Sequence, residues 1–465
     1  MQKTGIVPGA ERFSWVVLAA SSAAALGGLL YGFTLSVIAG AGYAISSRFG
    51  LGNLEQGLVV GNLDLGAAAG ALAAGLLGDR FGRKRLILAI AVLYLVSGAL
   101  TALAQGLTVI LLGRLLAGLA VGASLVLPLF IAEISPARWR GLLVSSVQVA
   151  IVMGILLAYA VSLSLADSGD RNWRWMFGAG IPVAAVFLLS AVFLPESPRW
   201  LVAQGRTGEA RSILARLERD GRAEEAVSEI VETVRLEAGG WKEVFRPANR
   251  RALRVGLLAA VASVAVGINA VILYGPAILM KGGQSLHEAL TGSLVLGAVN
   301  LAATVAAVPW IDRIGRKPLL LAGLAGTGLS MASLGFSFRP GTADAGGSAW
   351  ALASILAFVA FYAASLGPIT WVLISEIFPT RVSGAAMAVT LAVMYLADFA
   401  VTALFPLWMA ATGGAGFFGF TAVSVVAAFC VIRFMPETRG RTLEQVHRSW
   451  SGEPAGADPN PEARS

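Results

Sequence analysis

Gly78-Asp79-Arg80-Phe81-Gly82-Arg83-Lys84-Arg85 is a compact, mostly cationic turn between two apolar runs, each long enough to cross a bilayer. Its glycines permit a tight bend, and its cations hold the turn on the cytoplasmic side of a membrane. The same design returns as Ile311-Asp312-Arg313-Ile314-Gly315-Arg316-Lys317. One copy would mark topology. Two copies point to a duplicated membrane protein.

Outward from these turns, the composition agrees. The chain of 465 residues is 57% hydrophobic and 13% charged, with a mean hydropathy of +0.75. A soluble domain is about one quarter charged, so most of this surface faces lipid rather than water. Lys and Arg outnumber Asp and Glu by 35 to 27. The cations lie in short loops beside apolar runs, which is an orientation signal and not a basic face for nucleic acid. Cys430 stands alone, and His287 and His447 are far apart, so no disulfide, metal site or cofactor is expected.

Twelve spans are expected, at about 14–40, 55–77, 86–104, 107–131, 142–166 and 174–194, then 252–280, 288–309, 318–337, 349–375, 383–408 and 414–434. The run from Trp15 to Ile38 exceeds a signal-peptide core and reads as an uncleaved first helix. With both termini cytoplasmic, the basic turns at 78–85, 138–140, 311–317 and 381 all fall inside. The opposite loops carry only Arg48, Arg171, Arg174, Lys281 and Arg339. The expected divisions are a first six-helix half at 1–194, a cytoplasmic linker at 195–251, a second half at 252–434 and a tail at 435–465. Arg206 to Ala238 alternates charged and apolar residues at helical spacing, as short amphipathic helices do. The tail after Ser451, with Pro454, Pro459 and Pro461, has no apolar periodicity and reads as disordered.

The halves repeat in order. Asp79-Arg80 matches Asp312-Arg313, Glu133-Ile134-Ser135-Pro136-Ala137-Arg138 matches Glu376-Ile377-Phe378-Pro379-Thr380-Arg381, and Pro195-Glu196 matches Pro436-Glu437, at offsets of 233, 243 and 241 residues. Two parallel six-helix halves put a substrate site near the bilayer midplane, between them.

These residues carry a resemblance. The chain is similar to the sugar porter family of the major facilitator superfamily over nearly its whole length. Besides the paired turns, the match rests on Gly113-Arg114, on Glu133 with Arg140-Gly141, on Pro195-Glu196-Ser197-Pro198-Arg199-Trp200-Leu201, and on Pro436-Glu437-Thr438-Arg439-Gly440-Arg441-Thr442-Leu443-Glu444. The resemblance implies a membrane transporter working by alternating access in the cytoplasmic membrane, as a monomer, and not an enzyme. It also implies a cytoplasmic gate of charge-assisted pairs. In the first half these are Asp79, Arg80, Arg83, Glu133, Arg140, Glu196 and Arg199; in the second, Asp312, Arg313, Arg316, Glu376, Arg381, Glu437 and Arg439.

Polar side chains inside spans need a partner or a wet cavity. Gln148, Asn269, Asn300 and Trp371 fall in register with sugar-binding positions of the family, and Tyr274 remains from a Tyr-Tyr pair often found there. Amides offer donor and acceptor together, and an indole adds a flat apolar face, which suits a sugar or polyol. An interhelical hydrogen bond is the rival reading of each amide. Ser263 and Val264 stand where two glutamines are usual, and Met394 and Tyr395 where some bacterial relatives have Gln and Trp. The site is therefore poorer in hydrogen-bonding groups than a typical hexose site, and a smaller or less hydroxylated substrate is expected.

Coupling stays open between facilitated diffusion and proton symport. The resemblance expects an acid in the first span of proton-coupled members, near the Arg matched by Arg114, a helix-interface switch. Here that residue is Thr34, which cannot titrate. Two other acids lie inside spans, Asp64 in the second and Asp398 in the eleventh, both roughly 20–25 Å from the cytoplasmic face at about 1.5 Å per residue. In the superfamily's architecture these spans face each other, so the pair could make a proton site by another route; the alternative is two acids in a wet vestibule. A symporter of another small polar solute, such as an organic acid, is the nearest different reading. A sugar sensor is a rival of another class, though the tail is short for signalling.

Overall fold

The structure is a computed structural model that describes residues 15–136, 138–217, 223–236, 241–339, 347–379 and 382–435. No strand occurs among them, because an apolar segment in lipid must satisfy its own backbone, and helices do so within one segment. The first half holds α1 (Trp15–Phe49), α2 (Asn53–Phe81), α3 (Arg83–Ala102), α4 (Leu107–Ala123) continued by α5 (Val126–Ile134), α6 (Arg140–Ser164), and α7 (Asn172–Gly178) continued by α8 (Gly180–Val192). Four short helices follow: α9 (Pro198–Ala203), α10 (Thr207–Leu217), α11 (Ala223–Leu236) and α12 (Trp241–Val244). The second half holds α13 (Arg250–Ala265) with α14 (Ile268–Lys281), α15 (Leu286–Ile314), α16 (Arg316–Ser337), α17 (Gly347–Ala364) with α18 (Leu366–Ile377), α19 (Ser383–Thr412) and α20 (Gly416–Phe434). Eleven stretches are long and apolar enough to cross a membrane; the last, Ser383–Phe434, is divided by a short 3-10 turn at Gly413–Ala415, which makes twelve crossings.

The Asp-Arg turns are built alike. Gly82 (φ 94°, ψ 161°) and Gly315 (φ 105°, ψ 157°) let one helix stop and the next start with no intervening loop. Glu196 then caps α3, accepting the backbone N–H groups of Arg83 at 2.9 Å and Lys84 at 3.0 Å. A carboxylate at a helix N-terminus satisfies orphan donors and complements the dipole. Any Cβ on Gly82 would overlap that carboxylate.

Small residues let the spans pack backbone to backbone. Gly66 and Gly70 of α2 lie against the carbonyls of Leu115 and Leu119 in α4, while Gly118 and Gly122 of α4 meet those of Leu63 and Ala67. Gly66 and Gly70 are thus occupied by contact within the first half. Pro276 and Pro309 lie inside helices that run on past them. The seventh span breaks instead at Gly267, whose φ of 93° is left-handed. The tenth breaks at Ser365, and Pro368 follows in the first turn of α18, where a missing N–H costs nothing.

Between the halves, Ser197 accepts the N–H of Trp200 at 3.1 Å and Pro198 starts α9. The amphipathic pattern of Arg206 to Ala238 becomes α10 and α11, which with α9 form a small core around Trp200, Leu201 and Ala210. Large apolar side chains such as Phe193, Leu329 and Phe429 point outward, as lipid-facing residues do.

Candidate functional site

The halves meet where α2 lies along α19 and α6 along α15. Three cavities follow this seam. An inner one of about 460 Å³ touches Asp79, Arg83, Arg140 and Arg199, and is floored by Leu214 and Glu229 of the short helices. An outer one of about 340 Å³ lies by Tyr43, Gln56 and Leu286. A central one of about 110 Å³ is lined from both halves, well below the roughly 300–1,000 Å³ of ordinary ligand pockets. It is closed down around its polar groups.

Gln148, Asn269, Asn300 and Trp371, expected together, all line this central cavity. The break at Gly267 starts α14 just before Asn269, and the restart after Ser365 brings Trp371 in from α18. The rival reading of the amides can now be weighed one by one. Gln148 and the Trp371 indole have no hydrogen-bond partner among the described residues. Asn300 reaches only Thr304 of its own helix, at 3.5 Å. Asn269 alone bonds to another helix, donating to Asp398 of α19. Tyr274 stands apart from these four: it borders the outer cavity and donates to the Thr402 carbonyl at 2.8 Å.

Tyr31, Tyr362 and Thr304 were not anticipated as lining residues, whereas Tyr395 was already placed at the site. The hydroxyls of Tyr31 (α1) and Tyr395 (α19) meet at 3.0 Å across the seam, and Tyr362 and Thr304 join the wall. Farther out, Tyr159 of α6 donates to the Ile272 carbonyl at 2.8 Å, a second bond between the halves. Polar residues with hydroxyls are frequent in these spans, and most bond back to their own helix, as Ser162 and Ser293 do. Composition therefore cannot single out the few that cross.

Asp64 and Asp398 are 1% and 2% exposed. Thr402 joins them: its hydroxyl lies 3.0 Å from Asp64 Oδ2 and 2.9 Å from the backbone carbonyl of Asp398. Asp398 Oδ2 accepts from Asn269, while the buried Oδ1 has no hydrogen-bond partner. Arg114, also buried, uses its guanidinium on backbone carbonyls: Val59 at 3.3 Å, Val60 at 2.9 Å and Thr34 at 3.1 Å. It ties α4 to α2 and α1.

At the inner end, Arg83 pairs with Asp79 at 3.1 Å and with Glu133 at 3.2 Å. Arg316 repeats this with Glu376 at 3.1 Å in the second half. Glu196 holds backbone N–H groups rather than an arginine side chain. Arg80 and Arg313 are exposed at the turns. The side chain of Asp312, together with Arg381, Glu437 and Arg439, lies outside the described residues.

This geometry has known counterparts. The model of the family described as sugar (and other) transporter matches residues 20–450. The glucose transporter GlcP of Staphylococcus epidermidis is 35% identical, over 91% of this chain and 94% of its own. The arabinose-proton symporter of Bacillus subtilis is 33% identical, over 93% of this chain and 95% of its own. The solved structure of the major facilitator superfamily proton:xylose symporter XylE, bound to 6-bromo-6-deoxy-D-glucose, superposes with a TM-score of 0.79 at 32% identity, covering 93% of this chain and 99% of that one. With its paired Asp-Arg turns and polar cavity between two six-helix halves, this chain belongs to the sugar porter family of the major facilitator superfamily.

Proposed function

We propose that the chain carries a monosaccharide or polyol across the cell membrane by alternating access, in symport with a proton. The observation that supports this best is the central cavity, where Gln148 and Trp371 present polar groups that no atom of the described residues uses. Two of the relatives, named as arabinose-proton and xylose-proton symporters, support the coupling. Ser263 and Val264 remove two amides from the wall, while Tyr31, Thr304, Tyr362 and Tyr395 supply hydroxyls to it, and the small central cavity favours a substrate no larger than a monosaccharide. An organic acid is less well supported, since the lining contains no Lys or Arg and Arg114 is committed to backbone carbonyls.

The ion pairs at the inner end act as the gate: each half closes with its own Arg-Glu pair and opens when the pair breaks. The short helices at 195–251 form a linker on the cytoplasmic face, the cation-rich turns set both termini inside, and the working unit is a monomer.

Uptake of labelled D-xylose, L-arabinose, D-glucose and xylitol into proteoliposomes tests the reading. The expected result is accumulation of at least one above equilibrium, only under an inward proton gradient. Equilibration that ignores the gradient would remove the symport; no uptake of the panel would remove the substrate class.

A further inference from the structure

We infer that the coupling proton sits on a carboxylate pair between the halves, Asp64 of α2 and Asp398 of α19, and that Asn269 relays its presence to the sugar. The inference rests on the symport reading above. It begins with what surrounds the two acids. Both are buried, and neither has a cation within ion-pair distance among the described residues. The titratable and charged groups within electrostatic reach are Arg114 of α4, Tyr31 of α1, Tyr274 of α14, Tyr362 of α17 and Tyr395 of α19. Arg114 is the one cation among them, and its N–H groups are spent on the carbonyls of Val59, Val60 and Thr34. Arg114 acts on Asp64 and not on Asp398, and two neighbouring buried carboxylates with so little compensation hold a proton at far lower cost than two full charges.

Thr402 shows how that proton completes the network. Its hydroxyl owns one hydrogen, yet Asp64 Oδ2 at 3.0 Å and the Asp398 carbonyl at 2.9 Å both lie in acceptor range. With Asp64 ionised, only one of the two oxygens can be served. With Asp64 protonated, its O–H donates to Thr402, which donates onward to the carbonyl, and of the two acids' buried oxygens only Asp398 Oδ1 is left without a partner. The chain of bonds crosses from the first half to the second, which is the seam that must move.

Asp398 connects this network to the cavity. While ionised, it holds the Asn269 amide in a charge-assisted hydrogen bond. A proton on Asp398 Oδ1, the oxygen without a partner, weakens that bond and frees the amide for a sugar hydroxyl. The proton thereby favours sugar, and by reciprocity sugar favours the proton. Symport follows without an acid at Thr34.

The test uses the purified full chain and whichever of the four panel compounds the wild type takes up fastest. Affinity for it is measured from pH 5.5 to 8, with proton uptake followed in weak buffer as the compound is added. Wild type is expected to bind roughly 3- to 10-fold tighter at the acid end, the worth of about one hydrogen bond, and to take up protons on binding. Asp64→Asn and Asp398→Asn should each flatten the pH dependence and abolish the proton uptake. Thr402→Val, which keeps both carboxylates, should shift the midpoint instead; it carries the test with Asp64→Asn if Asp398→Asn does not fold. Asn variants that bind with the wild-type pH dependence would overturn the inference while gradient-driven uptake by wild type left the symport standing. Wild-type uptake blind to the gradient would remove the symport reading, and the inference with it.

Discussion

Gly82 and Gly315 occupy a backbone region that is costly for any residue with a Cβ, and the Gly82 site is further closed by Glu196. Gly82→Ala and Gly315→Ala should therefore each lower stability by about 1–3 kcal/mol, read as a fall in the Tm of detergent-solubilised protein. Equal Tm values for both variants and wild type would mean that the turns relax without cost. These glycines were legible in the chain as written, because a short Asp-Arg-x-Gly-Arg motif between two spans has few ways to fold. Thr402 was not. It looks like any threonine in an apolar run, and only the approach of α2 gives it Asp64 as a second acceptor. Glu196 was legible as a charged residue at a helix end, but its choice of backbone N–H groups over an arginine depends on how α9 docks beside α3.

Helix against helix, the decisive contacts are made by missing side chains. The carbonyls of Leu115 and Leu119 sit where a Cβ on Gly66 or Gly70 would be, so α2 and α4 can approach only with glycine there. Gly70→Leu is expected to push these helices apart and to leave little monodisperse protein on size exclusion, whereas Leu76→Ala, on an exposed part of the same helix, should behave as wild type. A well-folded Gly70→Leu variant would show that the run serves some other contact. Helix breaks were less legible than helix existence. Proline marks a break only where its missing N–H or its ring conflicts with a neighbouring turn, and lipid-buried helices tolerate it. Gly267, with no such marker, breaks the seventh span and so orients Asn269.

For the whole molecule, the question is which end of the seam opens. Each half carries an Arg-Glu pair at its inner end, Arg83 with Glu133 and Arg316 with Glu376. Partly buried pairs of this kind are worth roughly 1 kcal/mol each, about fivefold in a conformational equilibrium. Arg83→Ala with Arg316→Ala should move the balance toward the inward-open state. Single cysteines at Ser383, by the inner cavity, and at Ser46, by the outer one, report this in a Cys430→Ser background. The Ser383 site should label faster and the Ser46 site more slowly; unchanged rates at both would show that the pairs only anchor the helix ends.

By itself, the sequence determined twelve crossings, the duplication and the group Gln148, Asn269, Asn300 and Trp371. Lipid leaves so little freedom that apolar length, loop charge and repeated motifs nearly dictate the architecture. Tertiary structure alone decided what each buried polar group bonds to. Arg114 turned to three carbonyls, Tyr274 to the outer side of the seam, Asp64 to Thr402 and Asp398 to Asn269. A hydrogen bond depends on ångström-scale approach between helices hundreds of residues apart in the chain, and no local pattern encodes that distance.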